Sequence, residues 1–211
     1  WNKLKASFLN NKIPNAYIFQ GNEGIGKEAH AIELAALINC ELSSKNESCG
    51  KCSSCQKMKS FQHGNVKVVI PYPRGKISSP EDPSIRGLSK KNIDDLRKMM
   101  ELKGKKPYEN IKIENSHTIL INSIREIKKD LQMSTIESGW RVILIFNAEK
   151  LCIPQPNAAN ALLKVLEEPP EKTLFILVTS DISNVIDTVR SRCQEIFFPP
   201  LPKNFIENEL K

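Results

Sequence analysis

The chain has 211 residues, 40% hydrophobic and 26% charged, the make-up of a soluble domain long enough to bury a real core. No apolar run reaches the roughly 18 residues of a membrane span and no basic-then-apolar leader opens it, so no membrane role and a cytoplasmic location are expected. The formal charge of +7 is local: residues 56–118 hold 14 Lys/Arg against 7 Asp/Glu, while the remainder balances at 17 against 17. Such a segment suits nucleic acid or an acidic partner, and a solvated surface accounts for it equally well.

In chain order, KLKASFLNN (3–11) places Leu4, Phe8 and Leu9 near one helical face, and Pro14 ends it. AYIFQ (16–20) predicts a strand running into Gly21, and KEAHAIELAALINC (27–40) a helix with Ala31, Leu34, Ala35 and Ile38 on one face. A cysteine-bearing stretch leads to a buried strand at VKVVI (66–70). From Pro71 the sequence turns rich in Pro, Gly and Ser and reads as an irregular loop, followed by an amphipathic helix from Ser89 to Gly104. Residues 71–118 therefore read as an insertion. INSIREIKKDLQ (121–132) resumes helical spacing, and VILIF (142–146) is a continuous apolar run, as in a strand covered on both faces. PNAANALLKVLEE predicts a helix stopped by Pro169 and Pro170, TLFILVTS (173–180) a buried strand, NVIDTVRSRC a short helix and QEIFF (194–198) a last strand. The alternation predicts an α/β fold with a mainly parallel sheet. PPLPK then reads as a linker, with Asn204 and Glu207 spaced as a capping box opening another helix. With Trp1 in place of an initiator Met, a piece of a longer protein is expected: a core domain over 1–200 and the start of a truncated domain at 201–211.

Two constellations carry chemistry. Cys40, Cys49, Cys52 and Cys55 are spaced C-x8-C-x2-C-x2-C, which in a reducing compartment points to tetrahedral Zn²⁺ rather than disulfides. Four thiolates leave no open coordination position, so the zinc would be structural. Cys152 and Cys193 stand outside this spacing and read as buried or half-buried residues. The second constellation is GNEGIGKE (21–28), with Gly21, Gly24, Gly26 and Lys27 placed as in a phosphate-binding loop after a strand and before a helix. At the eighth position a Mg²⁺-ligating Ser or Thr is replaced by Glu28. After the strand 142–146, where a hydrolase of this type has Asp and commonly a catalytic Glu, stand Asn147 and Ala148. Glu149 is one position late and is expected to point elsewhere. Together these changes predict a silent ATPase site. The loop's N–H groups and Lys27 suit phosphate, Glu28 would repel it nearby, and the glycines also make sense as a tight turn alone.

GNEGIGK, the four-cysteine insert after its helix, ANALLKVLEEPP (159–170) and SRC (191–193) occur in the order found in bacterial clamp loader subunits of DNA polymerase III, AAA+ proteins that this chain resembles over residues 1–200 apart from the insertion. The departures at residues 28, 147 and 148 resemble the family's non-hydrolysing delta-prime kind rather than its catalytic gamma/tau kind. The resemblance implies an AAA+ parallel sheet flanked by helices with a small zinc module at about 40–55, and a lid at the truncated end. It implies partnership with gamma/tau and delta subunits, the sliding clamp and primer–template DNA. It also implies that Arg192 is an arginine finger acting on a neighbour's nucleotide, and that Thr179, less favourably Ser180, is the sensor 1 polar residue. Without that resemblance, Arg192 reads as a surface arginine capping the helix it ends. An ATPase with unusual Mg²⁺ ligation and a stand-alone zinc-bearing nucleic-acid-binding domain are the competing readings.

Overall fold

The computed structural model describes residues 1–10, 12–42, 47–133 and 138–200; the expected capping box and lid at 201–211 lie outside them. Strands β1 (Ala16–Gln20), β2 (Val66–Val69), β3 (Arg141–Phe146), β4 (Thr173–Thr179) and β5 (Gln194–Phe197) form one sheet in the order β2-β3-β4-β1-β5. Every pairing is parallel. All seven residues of β4 and all of β3 after Arg141 are buried, so these strands lack alternation because helices cover both faces. Edge strand β5 is exposed at three of its four positions.

Parallel neighbours need crossovers, which the helices supply. Helix α1 (Asn2–Leu9) precedes the first strand, and the connections between strands carry α2 (Lys27–Ile38), α3 (Ser53–Lys59), α4 (Lys90–Lys105), α5 (Ile121–Gln132), α6 (Asn157–Glu167) and α7 (Asp187–Arg190). Successive strand residues feed opposite layers. Phe19, Leu144, Phe146 and Ile176 pack with Leu34 and Ala35 of α2 and Leu96 of α4. Ile18, Ile143, Ile145 and Phe175 pack with Ile124 and Ile127 of α5 and Leu162 of α6 on the other side. The expected α/β parallel sheet with flanking helices is thus the observed fold, its element ends moved by a residue or two.

Helix α3 is the element missed in sequence. Its N-cap is Cys52, whose sulfur accepts from the Cys55 N–H at 3.4 Å, a cap that Ser, Thr, Asp and Asn statistics do not flag. Helix α7 covers only part of the expected 184–193 span.

The ends of the 71–118 segment meet where the Tyr72 N–H donates to the Thr118 carbonyl at 3.1 Å. Its proline-rich part is held rather than irregular. Asp82 accepts from the N–H groups of Ser78 (3.0 Å) and Ser79 (2.9 Å) and pairs with Arg86; those backbone bonds first, then Arg86, pull its carboxyl down to about 2. Asn122 of α5 donates to the carbonyls of Ser79 (3.0 Å) and Asp82 (2.8 Å), fastening this loop to the sheet's helical cover. Helix α4 begins as expected, with Ser89 Oγ accepting from the Asn92 N–H. Near its end α4 lies so close to α3 that a Cβ on Gly104 would fall 1.7 Å from the Lys59 carbonyl oxygen; only glycine fits there.

Candidate functional site: a four-cysteine cluster and a modified phosphate loop

Cys40 follows α2, Cys49 lies in the connecting loop, Cys52 caps α3 and Cys55 sits in its first turn. The four sulfurs lie within 4.8 Å of one another, and Cys49 and Cys55 are 3.9 Å apart. Four sulfurs at the corners of a tetrahedron around Zn²⁺ stand about 3.8 Å apart, so the arrangement fits such an ion. Backbone donors face the sulfurs: Cys49 N–H to Cys40 (3.3 Å), and Lys51 N–H (3.5 Å) and Cys52 N–H (3.3 Å) to Cys49. The last two pull the Cys49 thiol down to about 6, whereas burial pushes Cys55 up to about 12. A coordinating cation deprotonates such a thiol outright. The cluster can therefore hold a metal ion and has no position left for a substrate. Cys152 and Cys193 are half-buried and outside it.

At the other end of α2, the sheet's C-terminal edge carries the phosphate-loop stretch. Gly26 caps α2 at φ +87°, a left-handed conformation that glycine adopts without strain. Lys27 folds back: its Nζ donates to the carbonyls of its own loop, Gly21 at 2.7 Å and Asn22 at 2.6 Å. Burial lowers its pKa, opposed by Glu28, Glu149 and Glu23 nearby. Glu28 pairs with Lys103 of α4. Lys103 also donates to the carbonyls of Pro107 (3.2 Å) and Glu109 (2.6 Å), and its ammonium lies 5.4 Å from the Phe146 ring centre.

A cavity of about 260 Å³ lies between this loop, the ends of β3 and β4, and residues 107–116; Gly24, Lys27, Tyr108, Asn147, Glu149 and Thr179 are among its lining. Glu149 corrects a sequence expectation. The left-handed turn at Asn147 (φ +55°) opens a short 3-10 helix over Ala148–Cys152, buries Ala148 completely and brings Glu149 into the cavity. There its carboxylate accepts from Thr179 Oγ1 at 2.6 Å. Ser180 also lines the cavity. Lys103 was missed altogether. Its signal was its place: seven residues after Leu96, it falls on α4's apolar stripe.

Arg192 lies just beyond α7 and is not part of the cavity. Its guanidinium donates to the Thr188 carbonyl at 2.7 Å and pairs with Glu167 of α6, while its side chain remains 33% exposed. The helix-capping contact expected of a surface arginine is thus present, and so is a carboxylate partner.

A family model described as DNA polymerase III, delta subunit, matches residues 1–202. The chain belongs to this DNA polymerase III delta-subunit family. Among the family's curated relatives, DNA polymerase III subunit delta' of Bacillus subtilis is 28% identical over 98% of the chain and 49% of its own length. Subunit delta' of Escherichia coli is 27% identical over 96% and 48%. DNA polymerase III subunit tau of Bacillus subtilis is 28% identical over 92% of the chain and 26% of its own length. The chain spans about half the length of the delta' relatives it matches. In fold it is similar to a DNA polymerase III gamma subunit-related protein of Thermotoga maritima, with a TM-score of 0.52 and 18% identity, covering 98% of this chain and 47% of the other. Among the described residues no helix is long and apolar enough to cross a membrane.

Proposed function

We propose that the chain is the AAA+ core of a clamp loader subunit of bacterial DNA polymerase III, of the delta-prime kind, that does not hydrolyse ATP itself. Membership of the delta-subunit family supports the first part. The observation that carries the second is at the end of β3: Asn147 offers no carboxylate for Mg²⁺, and Ala148, wholly buried, offers no base. In this reading the chain works alongside gamma/tau and delta subunits to open a sliding clamp and place it on primer–template DNA. Zn²⁺ held by Cys40, Cys49, Cys52 and Cys55 ties α2 to α3 and takes no part in chemistry. Arg192 acts on the neighbouring subunit's nucleotide, where a planar, permanently charged guanidinium stabilises charge developing on the γ-phosphate. Glu167 and the Thr188 carbonyl hold that guanidinium until the more highly charged phosphate competes for it.

A second reading has one observation in its favour. Glu149 lines the cavity and is oriented by Thr179, as a base for the attacking water would be. Steady-state ATP hydrolysis by the purified full-length protein separates the two. The expected rate equals that of Lys27→Ala; turnover abolished by both Lys27→Ala and Glu149→Gln would establish the ATPase instead.

A further inference from the structure

The partly buried ion pair between Lys103 and Glu28 joins two parts of the chain that are 75 residues apart. In a phosphate loop of the consensus spelling, the eighth residue gives a hydroxyl to Mg²⁺, and an acid after the following buried strand completes that cation's support. Those two places are residues 28 and 147 here. The Lys103 ammonium is bonded to Glu28 and lies over the ring of Phe146, the residue before Asn147. A fixed positive charge is therefore bound to the side chain at the first of these positions and packs on the ring of the residue before the second. We propose that the Lys103–Glu28 pair takes the place of the hydroxyl–Mg²⁺ contact of a working loop, and that residues 103–116 are an internal cap that keeps Mg²⁺–nucleotide out of the phosphate loop.

Three further features converge on this. An ammonium has three donors, and all three are used, on Glu28 and on the carbonyls of Pro107 and Glu109; the side chain is only 1% exposed. Those two carbonyls belong to the turn that carries Tyr108, whose ring edge is close enough to the loop that a Cβ on Gly26 would sit 2.9 Å from it. Lys27, the loop's phosphate-seeking side chain, is turned onto the carbonyls of Gly21 and Asn22. Glu28, which is incompatible with Mg²⁺ ligation by a hydroxyl, is thus the anchor of the cap. Entry of Mg²⁺–nucleotide would strip the buried Lys103 ammonium of its carboxylate partner, the costly way to break such a pair.

The proposal rests on the silent-site reading but fails separately from it, because a silent chain can still bind nucleotide; the readout is therefore binding and not turnover. A fluorescent ADP derivative is titrated, with and without Mg²⁺, into the full-length protein, Lys103→Met, and Lys103→Met/Glu28→Ser. Wild type is expected not to bind below about 1 mM. The double variant, which removes the tethered charge and restores a hydroxyl, is expected to bind at least about 100-fold more tightly and only with Mg²⁺. Micromolar binding by wild type, or no gain in a folded double variant, overturns the proposal. Wild type alone gives an independent measure by amine acylation read by mass spectrometry. Lys103 should stay unmodified while exposed Lys105 and Lys106 react, with or without an excess of Mg²⁺–ADP. Ready acylation of Lys103, or its appearance on adding Mg²⁺–ADP, likewise overturns the cap.

Discussion

Arg192→Ala is expected to lower ATP turnover by the assembled clamp loader by about 10³-fold at the neighbouring site, within the range of arginine fingers supplied in trans. The loss should appear in the rate and little in nucleotide affinity, since the guanidinium meets charge that develops only in the transition state. Stability of the chain itself should hardly change. Arg192 and Glu167 are both substantially solvent-exposed, and surface pairs of this kind contribute about 0–1 kcal/mol. Arg192→Lys keeps the charge but loses the planar fork, so it should recover only a small part of the rate. The assay is steady-state ATP hydrolysis by the reconstituted complex with primed DNA and clamp. A complex that turns over normally with Arg192→Ala would remove the finger and leave Arg192 as a helix cap.

Stripping the metal is the second large perturbation. Structural Zn²⁺ in small modules contributes about 10–16 kcal/mol of apparent binding energy, and folding of the ligand loop is coupled to it. Here the parallel sheet has its own core, so only part of that energy is global stability. A loss of even about 4 kcal/mol lowers the melting temperature of a domain this size by about 10 °C. A strong chelator under reducing conditions should produce such a shift in the wild type, with one metal ion released per chain and four of the six thiols becoming reactive, and Cys52→Ser should show the lowered melting temperature with three of its five thiols reactive from the outset. Thiolate ligation sets the sign of the pH dependence: protons compete for the sulfurs, so the metal is held more weakly as pH falls. Cys49, drawn down to about 6, resists protonation best of the shifted pair, and Cys55, pushed up to about 12 without a cation, depends most on the metal's charge. A chain with no bound metal and a melting point indifferent to chelation would exclude the assignment.

What sequence could show depended on how locally the information was stored. Strand β3 and helix α5 were legible because burial on two faces writes a continuous apolar run and burial on one face writes Ile124, Ile127 and Leu131 at helical spacing. The cysteine cluster was legible because four sulfurs can converge on one point only at restricted spacings. Helix α3 was hidden by the same cysteines, since its cap is a sulfur, its length seven residues and its buried face mainly Cys55 and Met58. Glu149 was misdirected because counting from β3 assumes that the strand continues, and the left-handed turn at Asn147 swings the next residues onto a new course. Lys103 looked like one more charge in a basic helix. Its role depends on a partner at residue 28, and no local pattern records a contact across that separation.

Gly104 and Lys103 are adjacent in the chain yet face different parts of the molecule. The first is pressed against the carbonyl of Lys59 beside the cysteine cluster, and the second is bonded to Glu28 at the start of α2. Helix α2 closes the circuit, with Glu28 in its first turn and Cys40 just beyond its last. The cysteine module, the end of α4 and the phosphate-loop turn thus form a closed ring of contacts through the chain. Loosening any member slackens the other two, so they are expected to open to solvent as one cooperative unit, a single foldon set against the sheet.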